Sequence, residues 1–313
     1  MGAKTLTYNE RYQLFELNLA GMTVLAMSNA MRRTRSCLYD EFNRGGGRTN
    51  YCPDVAQLAR KAASQTSANN HPMKPQKLVK SVGKLLARNW SPQQISGRKS
   101  LLGESSFSTS GIYRLVSRLG WTAQLRRYKP RGLLGRPASR PYCGTAMPIS
   151  KRPKEVFDRI TKGHWESDTM LGKRQDSMRL LVSVERQSQY VVCRLMPCVT
   201  ATDTAKWINK DIVKSGLPFH TLTTDRGGEF ASLGKTLAGK AYVCDPNCPN
   251  QRGTNENIIG LLRQYAPKGK SLSKLTQADV KKMQDKLNER PRKTLGYYTP
   301  NEIMFDCLPT VRS

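Results

Sequence analysis

Three carboxylates stand at positions unusual for so basic a chain. They are Asp168 within HWESDTML, Asp225 at the end of LPFHTLTTD, and Glu256 at the head of ENIIGLLRQY. Period-2 spacing sets His164, Glu166 and Asp168 on one face of a strand. Asp225 closes another apolar run, and Gly227 and Gly228 after it leave room for a close approach. Glu256 opens an amphipathic helix with Gly260 and Arg263 at i+4 and i+7 on its own face. Carboxylates that converge repel, and each raises the other's pKa unless a cation compensates. Oxygen-only donors with open positions suit Mg²⁺ or Mn²⁺, which keep waters and accept phosphate oxygens. Two such ions roughly 3.5–4 Å apart can activate a hydroxyl nucleophile and stabilise the leaving oxygen of a phosphodiester. Taken singly, each residue also has an ordinary role. A strand aspartate can satisfy loop amides, an aspartate before glycines can make a turn, and a glutamate favours a helix N-terminus.

The surroundings of these acids are strongly basic. The 313 residues carry 52 Lys and Arg against 23 Asp and Glu, a formal charge of +29. The excess runs along the whole chain, with 24 basic and 6 acidic residues in 1–150 and 28 and 17 in 151–313. Such a charge exceeds what solubility needs and predicts a polyanionic partner, nucleic acid before all others. Arg252, Arg263 and Lys268 form a basic rim beside Glu256. An anionic membrane surface is the alternative, but no apolar run reaches 18 residues and no secretory signal is present. Without such a signal, reduced cytosolic thiols are expected of the scattered cysteines. Cys193, Cys198, Cys244 and Cys248 could form a zinc site of loose spacing, or be ordinary core thiols.

The elements that must position these groups fall into four segments. In 1–65, YNERYQLFELNLAG reads as a helix closed near Gly21, MTVLAMSNAM as a short second helix and RRTRSCLYDEFNR as a third. That is a helix-turn-helix layout, in which the third helix meets base edges. Its candidate DNA contacts are Thr34, Arg35, Ser36 and Tyr39, with Arg44 at its end. Residues 66–125 repeat the scheme. KPQKLVKSVGKLLARN is amphipathic, Ser91 caps a helix with Pro92 in its first turn, and FSTSGIYRLVSRLG offers Ser108, Thr109, Ser110 and Arg114. Each region alone could be a small helical bundle with a solvated basic face, but two in tandem favour DNA binding. Residues 126–158, rich in Pro, Gly and Arg, read as a basic linker that tracks phosphates or serves as a spacer.

The remainder, 159–313, changes character. HWESDTML, RLLVSVER and QYVVCRLM are strand-like, ATDTAKWINKDIVKSG is helical, and LPFHTLTTD is a fourth strand. GEFASLGKTLAG reads as a short helix, KAYVCD as a fifth strand, and two helices follow. This order predicts an α/β fold with a mixed sheet covered by helices. It is also the order of a ribonuclease H-like core, in which the first and fourth strands are neighbours and a late helix packs across them. The three carboxylates would then converge.

GHWESD, SVERQSQY, TTDRGGEF, QRGTNENIIGLLRQYAPKG and LNERPRKTLGYYTPNEI resemble, in order, the motif series of the DDE transposases of the IS-thirty family of bacterial insertion sequences. The N-terminal stretches MTVLAMSNAMRRTRSCLYDEF and NWSPQQISGR with STSGIYRLV are similar to the family's two helix-turn-helix units. The resemblance implies that Asp168, Asp225 and Glu256 are the catalytic triad and hold two Mg²⁺ or Mn²⁺ ions. It implies double-stranded DNA as partner, both terminal inverted repeats and target, and end cleavage followed by strand transfer. A circular or abutted-ends intermediate, a homo-oligomer of at least two copies on paired ends, and a place at the nucleoid in a bacterial cytoplasm follow from the same likeness. The chain departs from the pattern at Arg32, where the family usually has glycine, and at Asp40, where arginine is common. A catalytically inactive DNA-binding regulator is the alternative in another functional class, and a related nuclease or integrase the alternative within the same one.

Overall fold

The computed structural model describes residues 5–70, 75–125, 142, 144–173, 175–197, 200–246 and 248–309. Most of the 126–158 linker's first half and Cys198 lie outside them. The chain divides into two compact units, Met1–Gln76 and Lys77–Ser313.

The first unit is helical: α1 (Tyr8–Leu19), α2 (Val24–Met31), α3 (Arg35–Arg44) and α4 (Pro53–Asn70). Threonines stand at three of the starts. Thr7 forms a reciprocal capping box with Glu10, and Thr23 and Thr34 accept from the backbone amides three residues later, Ala26 and Cys37. Leu6, Leu14, Met27, Leu38 and Phe42 fill the core, beside a buried ion pair between Arg11 and Glu41. Arg32 ends α2 with φ of 50°, in the left-handed region that an L side chain enters at a cost of roughly 1–2 kcal/mol. The strain explains why glycine suits this turn. Arg32→Gly should therefore stabilise the unit, by about 1 kcal/mol or less after the greater chain entropy of glycine is counted. Calorimetry should show a rise of up to a few degrees, and a lower midpoint would refute the strain.

The second unit begins with another three-helix bundle: α5 (Gln76–Ala87), α6 (Pro92–Leu101) and α7 (Thr109–Arg118). Ser91 and Gln94 make a capping box at α6, and Ser108 caps α7. Val82, Leu86, Ile95, Ile112 and Val116 form its core. One side of α6 docks on the C-terminal part of the same unit. Arg98 forks onto Glu302 (Nη1–Oε2 2.8 Å), and Gln94 donates to the Pro291 carbonyl at 2.8 Å. Gly97 lies beneath the Tyr297 ring, where a Cβ would stand 2.4 Å from ring carbons.

The rest of the unit is built on a six-stranded sheet. Its elements are β1 (Met147–Pro148), α8 (Glu155–Asp158), β2 (His164–Leu171), β3 (Arg179–Glu185), β4 (Val191–Met196), α9 (Ala201–Ile208), β5 (Thr221–Thr224), α10 (Leu233–Thr236), β6 (Ala241–Val243), α11 (Gly253–Leu262), α12 (Gln277–Asn288) and α13 (Pro300–Met304). The strand order is β1-β6-β5-β2-β3-β4. β2, β3 and β4 are antiparallel, while β5 pairs parallel with β2 and with β6. Three antiparallel strands, then a crossover that returns parallel to the first, is the ribonuclease H-like arrangement. Trp165, Leu181 and Leu222 pack toward α9 on one face. Met170, Leu180 and Val182 pack toward α11 and α12 on the other.

The edge strand β4 is closed by amide side chains of α12. Asn288 both accepts from and donates to the Val191 backbone, at 2.8 and 2.9 Å, and Gln284 and Gln277 accept from Cys193 and Leu195 at 2.9 Å each. These bonds satisfy backbone groups that an open edge would expose to another strand. At the opposite edge, Met147 and Pro148, read from sequence as linker, pair parallel with β6. Cys193 and Cys244 are buried thiols, pushed up by burial to about 12 and about 11, which keeps them protonated. Among the described residues, no helix is long and apolar enough to cross a membrane.

Candidate active site

Strand register brings the first two carboxylates level. Glu166 on β2 lies opposite Thr223 on the parallel β5, so two residues further on, Asp168 and Asp225 emerge side by side on the same face. β5 ends at Thr224, which makes Asp225 the first residue of the loop. Its Oδ1 accepts from the Gly227 amide at 2.9 Å, an Asx turn that fixes the carboxylate. Here the two glycines differ. A Cβ on Gly227 would stand 2.6 Å from Glu229 Oε2 and 3.0 Å from Asp225 Oδ1, whereas one on Gly228 would meet nothing within 4 Å. Glu229 in turn accepts from the Thr169 hydroxyl at 2.7 Å, tying the loop to β2.

A guanidinium bridges the two aspartates. Arg252 Nη1 is 2.8 Å from Asp168 Oδ2, and Nη2 is 3.5 Å from Asp225 Oδ2. Burial pushes the Asp168 carboxyl above its ordinary range, and the nearby Asp225 adds to the rise; Arg252 and the Thr169 amide oppose it. Burial works against the Arg252 charge, but Asp168 and Asp225 outweigh it and hold the guanidinium above its usual range. Arg252, read from sequence as part of a DNA-facing rim, is thus engaged inward. The cause is Coulombic, since two half-buried carboxylates on one face draw the nearest cation.

Glu256 lies in the first turn of α11 and is half-buried. The start of that helix is pinned over the sheet by a buried network. The Asn255 amide donates to Glu166 Oε2 at 3.0 Å, and its side chain donates to the Val182 carbonyl on β3 at 3.3 Å. The other oxygen of Glu166 pairs with Arg186, whose Nε donates to the Val156 carbonyl at 3.0 Å. Glu166, Arg186 and Asn255 are all nearly sealed from solvent. Among the described residues, no three His, Cys, Asp or Glu side chains stand close enough to share one ion. The donor chemistry nevertheless fits a hard divalent ion, because the gap between Asp168 and Asp225 already draws in a positive charge.

The candidate DNA contacts are spread over several elements. Thr34 caps α3; Arg35, Ser36 and Tyr39 are exposed along it, and Arg44 pairs with Glu41. Ser108 caps α7 with its hydroxyl 3.2 Å from that of Ser110, Thr109 is half-buried, and Arg114 is exposed. Arg263 and Lys268 follow the end of α11. Sequence reasoning passed over Glu229, although it stands inside TTDRGGEF, and the Glu166–Arg186 pair. The signal for Glu166 was its place two residues before Asp168 on the same strand face.

The chain is 33% identical over 314 residues to the transposase for insertion sequence element IS4351 of Bacteroides fragilis, covering 96% of this chain and 95% of that protein. It is 31% identical over 324 residues to transposase InsI for insertion sequence element IS30A of Escherichia coli K12, covering 96% and 83%. No protein-family model matches. Among solved structures, the catalytic core domain of BIV integrase aligns with a TM-score of 0.36 at 21% identity, over 47% of this chain and 96% of that one. The fold assignment rests on the strand order and not on that overlay.

Proposed function

The chain belongs to the IS-thirty family of insertion-sequence transposases, and from that premise we propose that Asp168, Asp225 and Glu256 are the catalytic carboxylates of a DNA end-cleaving and strand-transferring site. One observation carries the assignment. Asp168 on β2 and Asp225, the first residue past the end of the parallel strand β5, stand level and share a single cationic group between them. Divalent ions held by the three carboxylates, Mg²⁺ or Mn²⁺ and two per site, would supply charge neutralisation and activation of the attacking oxygen.

In the first step water attacks the phosphorus at an element end, the bond to the leaving 3′-oxygen breaks, and a 3′-hydroxyl is freed. In the second, that hydroxyl attacks a target phosphate and displaces another 3′-oxygen, so no protein–DNA bond forms. The protein's own contribution is placement. Glu166 holds the Asn255 amide and with it the first turn of α11, and the Gly227 amide orients Asp225. The two helical modules bind the terminal inverted repeats, and a second copy serves the paired end.

Arg252 neutralises the aspartates when no other cation does, so it competes with an incoming ion. Arg252→Ala should bind Mn²⁺ about tenfold more tightly, adding roughly 1.4 kcal/mol of ion-linked stability at saturation. Thermal unfolding with and without Mn²⁺ checks this, and an unchanged or smaller Mn²⁺-induced shift in the variant would remove Arg252 from the site. The function itself is tested with the full chain, a labelled duplex ending in the element's inverted repeat, and Mg²⁺. Cleavage at the end and joining to a second duplex are expected. A chain that binds the ends and leaves them intact would be a regulator.

A further inference from the structure

The C-terminal stretch LNERPRKTLGYYTPNEI, residues 287–303, carries none of the three carboxylates, yet it forms a socket for the second helical bundle. Gln94, Gly97 and Arg98, spaced i, i+3 and i+4, lie on one side of α6 and fill that socket. Gln94 donates to the Pro291 carbonyl at 2.8 Å and accepts from Arg290 Nε at 2.9 Å. Arg98 donates to the Tyr297 carbonyl at 3.2 Å as well as to both oxygens of Glu302. Gly97, with no Cβ, lets the Tyr297 ring come against the helix. Tyr297 is itself held at φ of 68°, a conformation that L side chains rarely adopt. Arg88 and Glu289 add an exposed ion pair.

Arg290 carries the contact inward. It is 2% exposed, and its Nη1 donates to Gln264 Oε1 at 2.7 Å, just past the end of α11, the helix of Glu256. Thr294 accepts from Gln189 Nε2 at 2.6 Å and Asn288 closes β4, so the socket is braced to the sheet as well. On its other side α6 shares the bundle core with α7 through Ile95 and Ile112, while Ser110, Tyr113 and Arg114 of α7 stay exposed. Whatever fixes α6 therefore fixes α7 relative to Glu256. The partners lie 196 to 204 residues apart in sequence, so packing and not chain connection sets the distance. We propose that this dock is a ruler. It holds α7 at a fixed distance from the carboxylates, so that DNA is cut at a set number of base pairs from the sequence α7 reads. Gln94, Arg98, Arg290 and Tyr297 are its positioning residues, which act through α6 and not on the reacting phosphate. The proposal rests on the transposase reading and adds to it what sets the place of the cut.

Mapping the cut at nucleotide resolution tests this, with the full-length protein, Mg²⁺ and two duplexes. One ends in the inverted repeat. The other has three base pairs, about 10 Å of helix axis, inserted between the element end and the bases that α7 protects from hydroxyl radicals. Those bases are the ones whose protection is lost in Arg114→Ala. Wild type should cut both duplexes at the same distance from the protected bases, so the cut shifts by the insertion relative to the end. In Gly97→Leu the new side chain displaces the Tyr297 ring but lies outside the bundle core, so binding should stay within a few-fold. Its cut should spread over several positions and fall roughly a hundredfold at the wild-type one. Gly97→Leu with Tyr297→Gly removes the ring, leaves a backbone that suits glycine, and should restore a single position. Arg98→Ala, whose partner Glu302 keeps its bond from the Thr299 amide at 2.8 Å, should spread the cut as well, should Gly97→Leu weaken binding. A dock that serves stability alone would lower the amount cut without spreading it. A wild-type cut that follows the end, or a cut that stays at one position in both Gly97→Leu and Arg98→Ala, overturns the ruler and leaves the transposase reading intact. A wild type that binds the repeat and cuts neither duplex overturns both.

Discussion

Asp225→Asn and Glu256→Gln should each lower end cleavage by about a thousandfold or more while DNA binding stays within a few-fold of wild type. Each substitution keeps shape and one acceptor oxygen but removes a negative charge. Loss of one such ligand weakens transition-state charge stabilisation by several kcal/mol, and every 1.36 kcal/mol is tenfold in rate. Binding is spared because the helical modules that would read DNA have cores of their own, one around Leu38 and Phe42, the other around Ile95 and Ile112. Asp225→Asn has an internal control. Its Oδ1 can still accept from the Gly227 amide, so the turn is preserved while the Arg252 ion pair weakens. Cleavage of an inverted-repeat duplex and gel-shift binding, measured side by side, decide the matter. Cleavage within tenfold of wild type in either variant would take that residue out of the triad.

The second large effect concerns the pin beneath α11. Arg186→Met strands the Glu166 carboxylate, which is 0% exposed, in an apolar surround. Removing one partner of a buried pair costs about 3–5 kcal/mol. For a unit of this size that is a fall of roughly 6–20 °C in the thermal midpoint. The double substitution Glu166→Met with Arg186→Met removes both charges and should recover most of that loss, because well-packed apolar pairs often replace buried ion pairs at little net cost. Cleavage should not recover with it. The double variant has no acceptor for the Asn255 amide, so the first turn of α11, and with it Glu256, loses its anchor. Thermal unfolding and cleavage of the three proteins separate stability from placement. Equal recovery of both would show that Glu166 serves only the fold.

Much of the architecture could be read from local pattern. Alternation in HWESDTML corresponds to β2 over His164–Leu171. Ser91 and Pro92 announced the start of α6, because a cap is satisfied within three residues of where it stands, whereas Ser108, read as a DNA contact, caps α7. The order of strands and helices was enough to predict a ribonuclease H-like sheet, since short right-handed connections leave few topologies open. Met147 and Pro148 escaped notice for the opposite reason. A two-residue edge strand has no periodicity of its own and exists through its pairing with Tyr242 and Val243.

By itself the sequence determined that one carboxylate lies within a strand, one closes a strand and one opens a helix in a strongly basic chain, because strand alternation, helix spacing and charge are local properties of neighbouring residues. Only the tertiary structure decided what each charge does. Arg252 and Arg263 look alike in sequence, yet one lies between Asp168 and Asp225, while the other has an Nη1 shielded from water with no hydrogen-bond partner among the described residues. Glu166 could have been one more strand residue until Arg186 and the Asn255 amide closed on it from 20 and 89 residues away. The physical reason is range. Propensity and capping act over a few residues, whereas the partner of a buried charge is chosen by packing, which brings together segments that no spacing rule connects.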